Sequence, residues 1–222
     1  MAIRCLYGLS VGACLVLVPV QLAGLLDAPA RVALGLALGA LVADLVSGAV
    51  HWACDTWGSE RTPWLGRGLI RPFREHHRDP RAMLRHDWID SNGQAAIPAA
   101  VCLLGMTLPA GRALLGESPA LRAFLASLFL FGAFANQLHR WAHAPAPPAW
   151  VRALQRAGLL LSPSRHALHH AGRHRSAYCT ATGWCNALLD RSGFWRAAER
   201  AVSTLTGARP WGRYGPRGDG FA

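Results

Sequence analysis

Charge is missing, or all but missing, from four long stretches of this 222-residue sequence. None occurs between Cys5 and Leu26, only Asp44 interrupts Val32 to Cys54, none falls between Ser91 and Gly111, and none between Ala123 and Leu138. A helix on the surface of a soluble domain keeps a polar face, so these runs exclude four helices of that kind. A bilayer-crossing helix needs about 20 mostly apolar residues. The sequence therefore predicts an all-α integral membrane protein with about four transmembrane helices, the third of them interrupted by Pro98 and Pro109.

Lysine is missing altogether, and all 23 basic residues are arginine. One precedes the first run, seven lie between Glu60 and Gly93, and twelve follow His139, against only Arg31, Arg112 and Arg122 on the opposite side. Positive residues favour the cytoplasmic face, which puts both termini and every histidine in the cytoplasm, in a bacterial inner membrane. A cleaved signal peptide is the rival reading of the first run, with Asp27 to Ala30 near its end. Its 22 uncharged residues exceed a usual signal core, so a retained span is expected.

Other absences narrow the chemistry. The six cysteines form no C-x-x-C pair and several fall in the apolar runs, which argues against a disulfide framework. No H-E-x-x-H weakens a zinc protease. No recognised nucleic-acid motif accompanies the net charge of +11, so topology and anionic lipid headgroups account for it better than nucleic acid does.

Histidine is what the sequence has instead. All ten lie between positions 51 and 174: His51, His76, His77, His86, His139, His143, His166, His169, His170 and His174. His139 and His143, and His170 and His174, are four apart, while His166, His169 and His170 stand at i, i+3 and i+4. On a helix each set shares a face. His51 and Asp55 repeat the spacing where the second span ends. Adjacent His76 and His77 cannot point the same way on a helix, which suits a segment bridging two metals, or one metal and the groups that orient its ligands. Imidazole suits Fe, Zn, Cu and Ni alike. A single zinc takes four ligands, so the count points either to two metals or to one with many supporting groups.

Three regions follow: residues 1–31 with the first span and a short external loop, a core over 32–207, and a tail over 208–222 expected to be disordered. A short amphipathic helix is expected from Trp150 after the Pro145, Pro147, Pro148 elbow, and a last helix capped by Ser192 and running through Leu205. Asp44, ionisable inside a span, reads as a metal-supporting or channel residue ahead of a structural one. Asn136 reads equally as a group completing the metal sphere or as a helix–helix contact. Arg71, Arg74 and Arg85 are either phosphate contacts for a lipid headgroup or simple topogenic charge.

Five stretches resemble one family. They are His51-Trp-Ala-Cys-Asp-Thr-Trp-Gly-Ser59, Ile70-Arg-Pro-Phe-Arg-Glu-His-His-Arg-Asp-Pro80 with Arg85-His86-Asp87, Asn136-Gln-Leu-His-Arg-Trp-Ala-His143, the run from Arg165 through His174, and Tyr178-Cys-Thr-Ala-Thr-Gly-Trp-Cys-Asn186. Together they are similar to the Kua-type plasmanylethanolamine desaturases over about residues 40–207. The resemblance implies a membrane oxidoreductase in which histidines hold two iron ions, with dioxygen as co-substrate, and which forms the vinyl ether of a plasmalogen from an alkyl ether phospholipid. The chain has no Gly-rich dinucleotide fingerprint and no haem-attachment motif, so electrons should come from a separate protein of the cytochrome b5 or ferredoxin type. Generic acyl desaturases would show H-x-x-H-H, whereas Phe73-Arg-Glu-His-His77 lacks the leading histidine and Asp55 stands in place of another. The alternatives are another membrane lipid desaturase or hydroxylase, or a membrane metal- or haem-binding protein without catalysis.

Overall fold

The computed structural model describes residues 1–211 apart from Leu26, Glu117, Gly172 and Arg173. Two helices are long and apolar enough to cross a membrane. The first, α1 (Ala2–Leu22), is 21 residues long. The second, α2 (Pro29–Thr56), starts on a proline at its first turn and runs for 28 residues, about 42 Å at 1.5 Å per residue. That exceeds a hydrocarbon layer of about 30 Å, so the last two turns of α2, which carry His51 and Asp55, have length to spare beyond it.

A turn of π-helix over Gly66–Ile70 leads into α3 (Arg71–Arg78), and a 3-10 turn (Ala82–Arg85) follows. The third and fourth apolar runs are each broken. Helix α4 (Trp88–Thr107) bends by 85° into α5 (Pro109–Leu115), and α6 (Pro119–Ala133) bends by 50° into α7 (Ala135–His143). Counted as one broken span each, the bent pairs bring the candidate membrane spans among the described residues from two to as many as four. Leu108, held extended by the following proline, sets the first break. At the second, the freed backbone N–H of Gln137 is taken up by Asn92 Oδ1 at 3.2 Å, from a side chain fully buried on α4. Such breaks are tolerated at membrane depth when neighbouring protein satisfies the backbone.

Small residues let these helices approach closely, as membrane helices require. A Cβ built on Gly35 or Gly39 of α2 would stand 2.3 Å from the carbonyl oxygen of Ala120 or Phe124 on α6, and Ser127 Oγ donates to the Leu36 carbonyl at 2.8 Å. Val11, Cys14 and Val18 of α1 pack with Ala96, Ala99, Leu103 and Ala126. Arg4 pairs with Asp87, which also caps α4 through the Asp90 N–H.

Beyond the spans lie α8 (Ala149–Arg156), α9 (Pro163–His170), α10 (Asn186–Arg191) and α11 (Phe194–Thr206). Helix α8 ends earlier than its apolar pattern suggests, because Gly158, in the left-handed region at φ 71°, turns the chain away, with the Leu159 N–H closing back on the Leu154 carbonyl at 2.9 Å. Ser192 does not cap α11. Gly193, in the left-handed region at φ 68°, takes that position. The tail is held at least to Trp211, whose N–H donates to the Thr56 carbonyl at 2.7 Å; the expected disorder of residues 212–222 lies outside the described residues.

Candidate metal centre

Four elements converge at one end of α2. Helix α2 brings His51 and Asp55, α3 brings His76 and His77, α7 brings His139 and His143, and α9 brings His166, His169 and His170. The i, i+3 and i+4 spacings put each set on one helix face, and the 50° bend before α7 turns its face toward the others. Eight histidines form two groups whose nitrogens all lie within 4.8 Å of one another: His76, His139, His143, His166 and His170, and His51, His76, His77 and His169. His76 belongs to both. It therefore stands between two potential ion sites.

The nitrogen spacing itself argues for cations. His166 Nε2 lies 2.8 Å from His139 Nε2, 2.8 Å from His143 Nε2 and 3.0 Å from His170 Nε2. One imidazole nitrogen offers a single hydrogen or a single lone pair, so it cannot serve three partners by hydrogen bonding. Two imidazole nitrogens bound at right angles to one ion, each about 2.1 Å from it, lie about 3.0 Å apart. His77 Nε2 and His169 Nε2, 2.9 Å apart, match the same spacing in the second group.

Supporting hydrogen bonds aim the rings. His51 Nδ1 donates to the Tyr178 carbonyl at 3.1 Å and His169 Nδ1 to the Ser176 carbonyl at 2.7 Å. Because a carbonyl only accepts, the hydrogen sits on Nδ1 and the Nε2 lone pair faces the site, the arrangement of a metal-ligating histidine. Burial, followed by the crowding of other imidazoles, pushes the His76 pKa down to about 2. Burial also lowers His169 to about 3 and His170 to about 4, and depresses His77 and His166 further. The rings are thus neutral, as ligands must be.

Asp55 completes the picture from the second group's side. Its Oδ2 is 3.4 Å from His51 Nε2 and 3.6 Å from both His77 Nε2 and His169 Nε2, and neither of its buried oxygens has a hydrogen-bond partner. A carboxylate in such a place is costly unless a cation compensates it. His51 Nε2 and His76 Nε2 are likewise buried without a partner. Neutral imidazoles, a hard carboxylate and unsatisfied buried atoms together fit a pair of transition-metal ions.

Several expected site residues lie elsewhere. His86 is exposed at the end of the 3-10 turn and is in neither group. His174 stacks on His77 with ring centroids 4.1 Å apart, at the edge of the second group but outside it. Asp44 is not aimed at the metals. Its Oδ1 accepts from the N–H groups of Thr182 and Gly183 at 2.8 and 2.9 Å, and its Oδ2 from that of Cys185 at 3.0 Å. Asn136 donates to the Ser91 carbonyl on α4 at 3.0 Å, which makes it a helix–helix contact. The three arginines expected at a headgroup are not gathered. Arg74 is buried and donates to the carbonyls of Cys54, Trp57 and Gly58 at the end of α2. Exposed Arg71 and Arg85 pair with Glu75 and Asp79 of their own segments.

The segment from Ser176 to Cys185 had no role from sequence, and it turns out to frame the site. It runs non-helical alongside α2, buried from Ala177 to Thr182, pinned by Asp44 and by Ser47 Oγ, which accepts from the Thr180 N–H at 3.0 Å. A Cβ on Gly48 would stand 2.5 Å from Cys179 Sγ, so the glycine makes this approach possible. Asn186 grips both the N–H and the carbonyl of Cys179, and the Asp190 carboxylate holds the N–H of Ala177 at 3.0 Å. This is how the carbonyls of Ser176 and Tyr178 reach His169 and His51.

A lipid desaturase domain model matches residues 40–213. The chain is 42% identical over 183 residues to plasmanylethanolamine desaturase 1 of Mus musculus, covering 81% of this chain and 68% of that protein. It is also 42% identical over 175 residues to the plasmanylethanolamine desaturase of Myxococcus xanthus, covering 78% of this chain and 61% of that one. The chloroplastic fatty acid desaturase 4 of Arabidopsis thaliana is 33% identical over 174 residues, 78% of this chain and 52% of its own length. No solved structure matches the chain. With its histidine-bearing helices inside the matched region, this chain belongs to the lipid desaturase family that includes the plasmanylethanolamine desaturases.

Proposed function

We propose that this chain is a dioxygen-dependent plasmanylethanolamine desaturase, which converts the 1-O-alkyl chain of an ether phospholipid to the vinyl ether of a plasmalogen. The observation that carries this reading is the pair of histidine groups sharing His76, in a chain 42% identical over most of its length to two enzymes of that name. His139, His143, His166 and His170 with His76 would hold one iron, and His51, His77 and His169 with His76 the other; Asp55 would balance the charge of the second. Bound there, two irons supply the means to reduce dioxygen and remove hydrogen from an unactivated carbon. Dioxygen takes four electrons, two with the hydrogens lost from the first two alkyl carbons and two from an external donor. With two protons from water it leaves as two waters.

The protein's own groups orient and insulate. The carbonyls of Tyr178 and Ser176 hold His51 and His169 in the tautomer that presents Nε2. Full burial of His51 and His169, and near-full burial of His76, His139 and His166, keeps bulk water from these rings. The electron donor is a separate protein of the cytochrome b5 or ferredoxin type. Arginine asymmetry supports placing the centre on the cytoplasmic side of a bacterial inner membrane. Similarity to the chloroplastic fatty acid desaturase 4 favours, as the second reading, desaturation of another lipid chain by the same site.

Expression in a host that contains alkyl ether phospholipid but no plasmalogen, with dioxygen and a compatible donor, should generate an acid-labile vinyl ether. A lipid desaturated only at mid-chain, or hydroxylated, would overturn the substrate assignment in favour of the second reading. No lipid change despite bound metal and a working donor would overturn catalysis itself.

A further inference from the structure

The proposed reaction places a geometric demand on the protein. The carbons that lose hydrogen are the first two of the alkyl chain, so the headgroup cannot be remote from the metals. Six single bonds of about 1.5 Å separate the first alkyl carbon from phosphorus, which limits the phosphate to about 8 Å from it. Four more bonds reach the ammonium nitrogen, at no more than about 12 Å. A desaturase acting at mid-chain carries no such constraint. A chain acting at the ether carbon therefore needs a polar recess that touches the metal-binding side chains.

Such a recess exists. A cleft of about 740 Å³ reaches Asp55 and, from the second histidine group, His77; its walls carry Arg78, Arg175 and Glu199, with Arg74 turned to the carbonyls at the end of α2. Both arginines are exposed, whereas Glu199 is buried at 8% exposure. A second cleft, of about 510 Å³, is lined by Arg152, Arg156 and Arg165 but has no carboxylate and touches none of the eight histidines. Of these two, the first offers both signs of charge beside the centre. Phosphoethanolamine is a zwitterion, and its anionic and cationic ends differ in what recognises them: arginine forks match phosphate oxygens, and a carboxylate removed from water attracts an ammonium more strongly than an exposed one does.

We propose that this cleft seats the phosphoethanolamine headgroup, with the phosphate against Arg78 and Arg175 and the ammonium toward Glu199. The alkyl ether carbon then lies on the Asp55 and His77 side of the centre. This assignment rests on the function proposed above and adds to it the residues that select the headgroup. Arg78 and Arg175 bind and position; they do not touch the reacting carbons.

The test uses the iron-loaded protein in membranes with its electron donor and three alkyl ether lipids: the phosphoethanolamine lipid, its trimethylated choline counterpart, and the alkyl-acyl-glycerol phosphate that has no ammonium. The R78Q/R175Q double variant should raise KM about tenfold or more for all three, with kcat and iron content unchanged, since charge-assisted hydrogen bonds of this kind typically contribute that much. E199Q should raise KM about tenfold for the phosphoethanolamine lipid, whose ammonium can both pair with the carboxylate and donate to it, raise it less for the choline lipid, whose methyl groups keep its charge further away, and leave the glycerol phosphate unaffected, so that the preference for ethanolamine collapses. Wild-type KM and preference in both variants would overturn the proposal, as would an equal loss of kcat on all three lipids. Should E199Q fail to fold, the arginine pair at exposed positions decides the matter by itself. A wild-type chain that makes no vinyl ether sinks the functional reading; one that makes it while the variants remain indifferent to the headgroup sinks only the cleft assignment.

Discussion

At the scale of single residues, two buried aspartates eleven positions apart on α2 do different work. Asp44 saturates its oxygens with three backbone N–H groups of the segment that carries the Ser176 and Tyr178 carbonyls. Asp55 keeps both oxygens without a hydrogen-bond partner beside three imidazole nitrogens. Removing Asp44 strands several buried donors, each costing roughly 1–3 kcal/mol. Asp44→Ala is therefore expected to lower stability by about 3 kcal/mol or more, read as a drop in Tm in detergent, and to lower metal content only as a consequence. Asp55→Asn should leave the helical fold and apo-protein Tm intact while weakening metal binding about 10- to 100-fold, the usual cost of losing a group that supports a ligand. Metal titration of the two purified variants separates them: equal metal affinity of Asp55→Asn and the parent protein would contradict its assignment to the centre. The sequence alone could not tell these aspartates apart. A carboxylate in or just after an apolar run reads as functional for either, and the groups that reveal Asp44 as structural lie 138 to 141 positions away along the chain.

At the scale of elements, close helix contact and broken helices set the site's geometry. Gly35 and Gly39 bring α2 against the α6 backbone, which fixes where His51 stands relative to α7. Gly39→Leu should cost at least about 1–3 kcal/mol by overpacking, measured as lost Tm. Gly132→Ala, with nothing within 4 Å of a built Cβ, should be neutral or stabilising by up to about 1 kcal/mol. The opposite order of the two would contradict this packing. Much of the architecture was legible: the apolar runs located the two long helices and the two bent pairs of an all-helical membrane protein, and the i, i+3 and i+4 histidines named the faces that converge. The bend before α7 was not legible, because no proline marks Phe134 and the polar group that satisfies the opened backbone, Asn92, belongs to another helix. The role of the 176–185 segment was hidden for the same reason, since its function lies in carbonyl groups that every residue possesses.

At the scale of the whole molecule, one end of the bundle carries the α2 terminus, the histidine-rich loops and the segment before Trp211. The arginine asymmetry predicts a cytoplasmic side for this end, and on either orientation Trp64, exposed at 99%, and Leu205, exposed at 85%, should lie on the same side. In a background with its native cysteines replaced, Trp64→Cys and Leu205→Cys should react alike with a membrane-impermeant reagent, and opposite labelling would separate groups that the metal centre requires together. The central claim is that eight histidines joined through His76 form a two-ion centre. The most direct measurement is the metal-to-protein ratio of the purified, active chain beside a His166→Ala variant, which removes the nitrogen nearest three others. About two irons per chain in the parent, and a clear loss from the variant while its helical content is kept, is the predicted result; one stoichiometric zinc and no iron in protein that still makes vinyl ether would contradict it.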